Sequence, residues 1–337
     1  MRRLTQVATP IAHLVGPGSL AVTNGQLVYR QRGQESLRLQ PESLRQVYCY
    51  GAVGVSEEAF VVLCHHGIEV AFLTPAGTRC KGRLVQSESS RTGLRRLQHR
   101  VFADEERVRQ WAEVIVVAKI DSQLAAARHY QRHGLPNAGP SIDGLEAIRK
   151  RCRGAMLESL RGYEGTATAT WFGLLGQVLK EPWQFRERVR RPPTDPINAL
   201  LSLAYTLVLN RTVARCEAAG LEVNLGALHD YRPGRPSLAC DLMEPLRVPA
   251  VDRWVVMLCN QRGITPEDFV QEGAGFRLHP DSFGRILWEW EKHWQKAKQE
   301  AELDGWVERL ESWLRQGDQT VSESSAEGSR GRPDEDL

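Results

Sequence analysis

Over the first 85 residues, apolar positions fall in short runs punctuated by turn residues, which is the pattern of strands. Leu20-Ala21-Val22-Thr23 and Gln26-Leu27-Val28-Tyr29 flank Asn24-Gly25. Asn-Gly supplies the two positive-φ positions of a type I′ turn, so this stretch predicts a hairpin. Further strands are predicted at residues 36–39, 46–50 and 68–73, with a turn at Pro75-Ala76-Gly77. Between them, residues 56–67 read as a short helix with Ser56 as N-cap and Gly67 as stop.

Beyond residue 100 the apolar period lengthens. Val108, Trp111, Ala112, Ile115, Ala118 and Leu124 recur at helical spacing. Residues 134–140 contain Gly, Pro and Asn and break the pattern. Residues 142–180 predict helix, interrupted or tightly packed near Gly162 and Gly165. Pro192-Pro193-Thr194-Asp195-Pro196 predicts a loop, and 197–220 a strongly apolar helix ended by Gly220. Residues 249–261 and 283–315 predict further helices. The expected fold class is therefore α+β: a β-rich N-terminal domain over 1–85 carrying one short helix, a Ser- and Arg-rich linker over 86–100, and an all-α domain over 101–316. From 317 to 337 Ser, Glu, Gly and Asp dominate, and a disordered tail is expected. No internal repeat is visible.

The length of 337 residues favours two domains over one core. No run of 18 apolar residues suggests a membrane span, and no apolar segment follows Met1-Arg2-Arg3 as a secretory signal would require. A cytoplasmic location without a membrane partner is expected. The seven cysteines are dispersed with no C-x-x-C pair, which reads as reduced thiols rather than a disulfide framework or zinc cluster. Net charge is only +3, but basic residues crowd 79–100, 149–161 and 186–191 while the tail is acidic. Such patches suit phosphate binding, and equally suit solvated helix faces.

Three places carry metal-capable side chains: Glu164 in Arg161-Gly162-Tyr163-Glu164-Gly165, His229 in Leu228-His229-Asp230, and the Asp241-x-x-Glu244 pair. Carboxylate oxygens with one imidazole suit Mg²⁺ or Mn²⁺ rather than a thiolate zinc site. Asp241 and Glu244, three apart, share a helix face. Ser237 can cap that helix, and Pro245 places Glu244 at a helix end or kink. Glycines beside Glu164 remove bulk where a phosphate could approach, and Arg161, Arg232 and Arg235 are candidate phosphate contacts. The plainer alternatives are a capping or buried His229 and a solvated Asp-x-x-Glu face. A small-molecule metal hydrolase is also possible, although the arginine density argues against it. His65-His66 ends a predicted helix without partner cysteines and reads as structural. Trp288, Trp290, Trp294, Trp306 and Trp313 follow a helical pattern and read as core rather than as a base-stacking platform.

Residues 160–165, 195–202, 220–222, 228–230 and 235–247, together with 66–73 and 82–84, resemble the CRISPR-associated spacer-acquisition integrase family, the universal "Cas one" endonucleases. The resemblance runs from residue 1 to about 315, and the tail lies outside it. It implies an N-terminal β-domain used in a homodimer and a helical catalytic domain. It implies that Glu164, His229 and Glu244 hold the divalent ion, Mg²⁺ or Mn²⁺, with Asp241 as a nearby acidic contributor. It also implies a metal-dependent DNA endonuclease and integrase that inserts short double-stranded DNA spacers into a repeat array by 3′-OH transesterification, in a heterohexamer with a small companion protein of the adaptation module. A catalytically inactive DNA-binding scaffold of the same complex is the alternative.

Overall fold

The computed structural model describes residues 11–85, 92–135 and 138–329, with side chains as far as residue 317. The expected hairpin is present: β2 (Gly18–Thr23) pairs antiparallel with β3 (Gln26–Gln31), with Asn24 at φ 51° and Gly25 at φ 75°. Around it, β4 (Gln34–Leu39) pairs with β3, and β6 (Val53–Val55) runs parallel to β2. A second sheet has the order β1 (Ile11–Val15), β5 (Gln46–Tyr50), β7 (Glu69–Leu73) and β8 (Cys80–Leu84), with only β8 antiparallel. The polar edge strand β8 and the three-residue β6 show no apolar alternation, which hides them from a period-based reading. Helix α1 (Glu57–His65) starts where Ser56 Oγ accepts the Ala59 N–H at 3.2 Å, and His65-His66 end it as expected. Leu14, Leu20, Leu27, Val47, Leu63 and Val70 lie in the core beneath α1 and the strands.

The chain does not divide by one cut after residue 85. The β-rich segment forms one compact unit together with residues 179–210 and 254–297, and a second unit combines 89–178, 211–253 and 298–337. The reason is aromatic and polar packing contributed by late segments. In the first unit, Tyr50 of β5 meets Phe283 edge-on at 5.1 Å between ring centroids. His13 of β1 bridges the Tyr50 hydroxyl and Glu291 Oε1, each at 2.8 Å. Trp290 and Trp294 are buried and Trp306 nearly so, the core role expected of them, whereas Trp288 is half exposed beneath the Lys292 ammonium.

The second unit contains α2 (Thr92–Val101), α3 (Glu105–Arg132), α4 (Gly139–Cys152) and α5 (Leu157–Val178), of which α3, α4 and α5 pack together. Helix α2 occupies the stretch expected as a linker, because Leu97, Gln98 and Val101 give it a buried face. Helix α6 (Pro196–Ala219) ends at Gly220, φ +82°, as expected. It is long and apolar enough to cross a membrane, but 83 % of its apolar window is buried inside the protein. It is followed by α7 (Ser237–Met243), α8 (Arg253–Asn260), an unmarked hairpin of β9 (Phe269–Glu272) and β10 (Gly275–Leu278), α9 (Pro280–Lys296) and α10 (Gln299–Ser329). Helix α10 carries the backbone past the tail boundary expected at 317, and residues 330–337 lie outside the described residues.

The turn at Gly77 is a close approach within the first unit. Its φ is +67°, and a Cβ there would stand 2.5 Å from Leu203 Cδ1 and 3.0 Å from Tyr50 Cε1. Gly77→Ala should cost about 2 kcal/mol by combining left-handed strain with overpacking. Urea unfolding of the variant checks this, and an unchanged midpoint contradicts it.

Candidate functional site

The buried carboxylate of Asp241, on α7, organises the loop before it. Asp241 Oδ2 accepts the N–H groups of Ala227 at 2.6 Å and Leu228 at 3.1 Å, and Oδ1 accepts the His229 N–H at 3.0 Å. The His229 ring adds a fourth contact, Nδ1 to Oδ1 at 2.6 Å. Three consecutive backbone donors folded about one anion form a nest. The loop can curl this tightly because residue 226 is glycine: a Cβ there would lie 2.8–2.9 Å from Ser237 C, Asp241 Oδ2 and His229 O.

This geometry gives Asp241, expected as a nearby acidic contributor, a defined part. A carboxylate has about four acceptor positions, and all four are used. Asp241 is a positioning residue. The Nδ1–H of His229 donates to it, which leaves the Nε2 lone pair free for a cation, an arrangement common behind metal-bound histidines. Ser237 does not cap α7: its hydroxyl donates to the Asp230 carbonyl at 2.9 Å and closes the same loop. Arg161, expected as a phosphate contact, is also committed to the loop. Its Nε–H donates to the Leu228 carbonyl at 2.9 Å, and its guanidinium pairs with Glu158 and Asp230. Arg232 is exposed and Arg235 partly so.

Glu244 follows α7 in helical conformation, φ −58° and ψ −46°, so Pro245 does not displace it. Pro245 and Pro249 each lack an N–H, and the α-ladder gives way to a π-helical turn over Arg247–Asp252. That turn brings Arg247 back on Glu244, Nη2 to Oε1 at 2.9 Å. His229 Nε2 lies 3.9 Å from the same Oε1.

Glu164 comes from α5, which runs unbroken through Gly162 and Gly165; the interruption falls instead at residues 153–156. Neither glycine is tightly packed, since nothing lies within 4 Å of a Cβ built on either. Thr168, one turn on, donates to Glu164 Oε1 at 3.0 Å. The residue that joins Glu164 to Glu244 is Lys119 of α3, which the sequence reading passed over. Its ammonium pairs with Glu164 Oε1 and lies 2.6 Å from Glu244 Oε2, and its side chain is 2 % exposed. The signal was present: Lys119 sits on the stripe Ala112, Ile115, Val116, Ile120, where a charge has no reason to be unless it is paired.

Glu164 and Glu244 thus meet at the Lys119 ammonium, and His229 Nε2 stands 3.9 Å from Glu244 Oε1, with Thr168, Arg247 and Asp241 fixing Glu164, Glu244 and His229 in turn. Among the described residues no three His, Cys, Asp or Glu groups close around an ion as they stand, and the Lys119 ammonium lies between the two acids. The donor chemistry nonetheless fits a hard divalent cation: two carboxylates that already surround a positive charge, and an imidazole with an oriented free nitrogen. Glu244 is the most perturbed acid. Burial raises its pKa, but Arg247, Lys119 and His229 together outweigh burial and hold it at about 2.

The family described as CRISPR associated protein Cas1 matches residues 12–292. This chain belongs to the Cas1 family. A curated relative, the CRISPR-associated endonuclease Cas1 2 of Rhodospirillum rubrum, is 34 % identical over 289 residues, covering 81 % of this chain and 82 % of the relative. Among solved structures, a chain of a Cas6-RT-Cas1–Cas2 complex aligns with a TM-score of 0.80 and 24 % identity, over 91 % of this chain and 35 % of that one. A casposase bound to integration product aligns at 0.70 and 22 %, over 84 % and 81 %. At these identities the structural likenesses establish a shared Cas1 fold.

Two outcomes follow for the metal-free protein. Gly165→Ala should stabilise it by about 1 kcal/mol in chemical denaturation, because the open face leaves only helix propensity to act; a loss of stability contradicts the open face. Glu244 has a folded pKa below its ordinary 4.5, so its stabilising contribution is complete above pH 4.5 and fades as pH falls towards about 2. Glu244→Gln should therefore flatten the decline of melting temperature across that window, and an identical acid profile in the variant would argue against the charged network.

Proposed function

We propose that this chain is a divalent-metal-dependent DNA endonuclease and integrase that joins a short duplex to a CRISPR repeat array. The observation that carries the reading is that Glu164 and Glu244, from separate segments, share the Lys119 ammonium while His229 Nε2 stands 3.9 Å from Glu244 Oε1 with its Nδ1 on Asp241. The endonuclease name of the Rhodospirillum rubrum relative and the casposase neighbour's integration product support the chemistry.

Glu164, Glu244 and His229 would hold Mg²⁺ or Mn²⁺. When bound, the ion supplies Lewis-acid polarisation of a phosphoryl oxygen and lowers the pKa of an attacking hydroxyl. The protein's own part is positioning and charge. Arg232 and Arg235, on the loop after His229, face phosphate oxygens. The bare strip of α5 at Gly162 and Gly165 lets a DNA backbone come close to Glu164. In the joining step, a new P–O bond forms to the incoming 3′ oxygen as the bond to the outgoing 3′ oxygen breaks; the attacking hydroxyl gives its proton to solvent and the outgoing oxygen takes one from solvent to leave as a 3′-OH. Attack by water instead gives cleavage. We place the protein in the cytoplasm as a homodimer that works with a small companion protein, in a heterohexamer on double-stranded DNA. The Cas2 named in a neighbour's complex supports the companion.

A second reading, a DNA-binding scaffold without catalysis, is favoured by one observation: Lys119 already fills the space between the acids. Strand-transfer assays with Mn²⁺ separate the two. Glu164→Ala, His229→Ala and Glu244→Ala should each lower joining by more than about 100-fold, and Asp241→Asn by about 10–100-fold, the scale for partners behind metal ligands. Full activity in all three alanine variants rules out the assignment, and a wild-type protein that binds duplex but never cuts or joins it under either ion promotes the scaffold.

A further inference from the structure

Lys119 is a buried charge at the site that the proposed reaction does not use. Its ammonium takes Glu164 Oε1 and Glu244 Oε2, and the second Glu244 oxygen, Oε1, stands 3.9 Å from His229 Nε2. The three candidate ligands do not rely on the lysine alone for their positions. Thr168 donates to Glu164, Arg247 pairs with Glu244, and Asp241 fixes His229. Removing Lys119 would thus take away a positive charge beside the ion position while leaving each ligand tethered.

We propose that Lys119 is a resident counter-ion: it stands in for the metal between Glu164 and Glu244 in the metal-free protein, and it holds the affinity of the site for a divalent ion low until a phosphate group adds negative charge. This rests on the metal-binding reading given above. The physical argument is charge balance. Lys119 and Arg247 together offset the two ligand carboxylates, and the Asp241 charge is spread over three N–H groups and the His229 ring. A divalent cation entering there meets two fixed positive charges at short range, where water screens them poorly. A phosphodiester at the same place restores the missing negative charge. Metal loading and substrate binding are then linked, and a free protein carries little bound ion that could act on the wrong strand.

The test is Mn²⁺ binding read by electron paramagnetic resonance of free Mn²⁺, together with melting temperature, on full-length protein. Lys119→Met keeps the length of the side chain and removes its charge. Lys119→Gln, which can still donate to the carboxylates, serves if the methionine variant does not fold. The expected result is about tenfold or greater tightening of Mn²⁺ binding without DNA. The metal-free melting temperature should fall, and added Mn²⁺ should restore more of it than in wild type. Wild-type binding should tighten when a short duplex is added, and that gain should shrink in the variant. A purely structural lysine would lower the melting temperature without tightening Mn²⁺. Mn²⁺ binding that is abolished by His229→Ala but equal or weaker in the Lys119 variants overturns the counter-ion role and leaves the metal reading standing. No Mn²⁺ binding by wild type or variants, with or without duplex, overturns both.

Discussion

Buried carboxylates govern the helical unit. Asp241 and Glu244 stand three residues apart and are buried, Glu164 comes from a distant helix and is partly buried, and each finds positive charge or N–H donors. Asp241 recruits the backbone of residues 227–229, Glu244 recruits Arg247 and Lys119, and Glu164 shares Lys119 and is held by Thr168. The positions of α3, α5, α7 and the π-helical turn are tied together through these pairs. The same groups form the candidate site, so the constraint that shapes this part of the fold also draws two of its acids onto the Lys119 ammonium.

Much of this was legible in the residues. The Asn24-Gly25 hairpin, the Ser56 cap and the Gly220 stop are local rules, and local rules read directly from a few neighbours. The metal-capable trio was visible because Glu and His stand out beside glycine and arginine. What escaped the reading depends on long-range packing. Lys119 looks like one more charge on a helix until α5 and α7 are in place, and Asp241 looks like a ligand until its four donors are counted. The π-helical turn comes from two prolines four residues apart, and no period of 3.6 reports it. The basic clusters were ambiguous for a similar reason. Arg188 turns inward to Asn198 and Ser202, and Arg149 pairs with Asp121, so density of arginine along the chain overstates the charge available to a phosphate.

The division of labour among arginines clarifies the electrostatics of the site. Arg161 braces the His229 loop and Arg247 neutralises Glu244, and both are spent on the protein itself. Arg232 lies on the same loop exposed to solvent, and Arg235 is partly exposed beside Cys240. A loop locked from beneath by Asp241, Ser237 and Arg161 can hold charged side chains above it at little further entropic cost.

The chain changes from one compact unit to the other after residues 88, 178, 210, 253 and 297, once within helix α6. A single proteolytic nick therefore releases neither unit as a continuous fragment. Attempts to express either half alone by choosing a cut site would sever partners that belong together. Grafting either unit onto another chain would need several junctions.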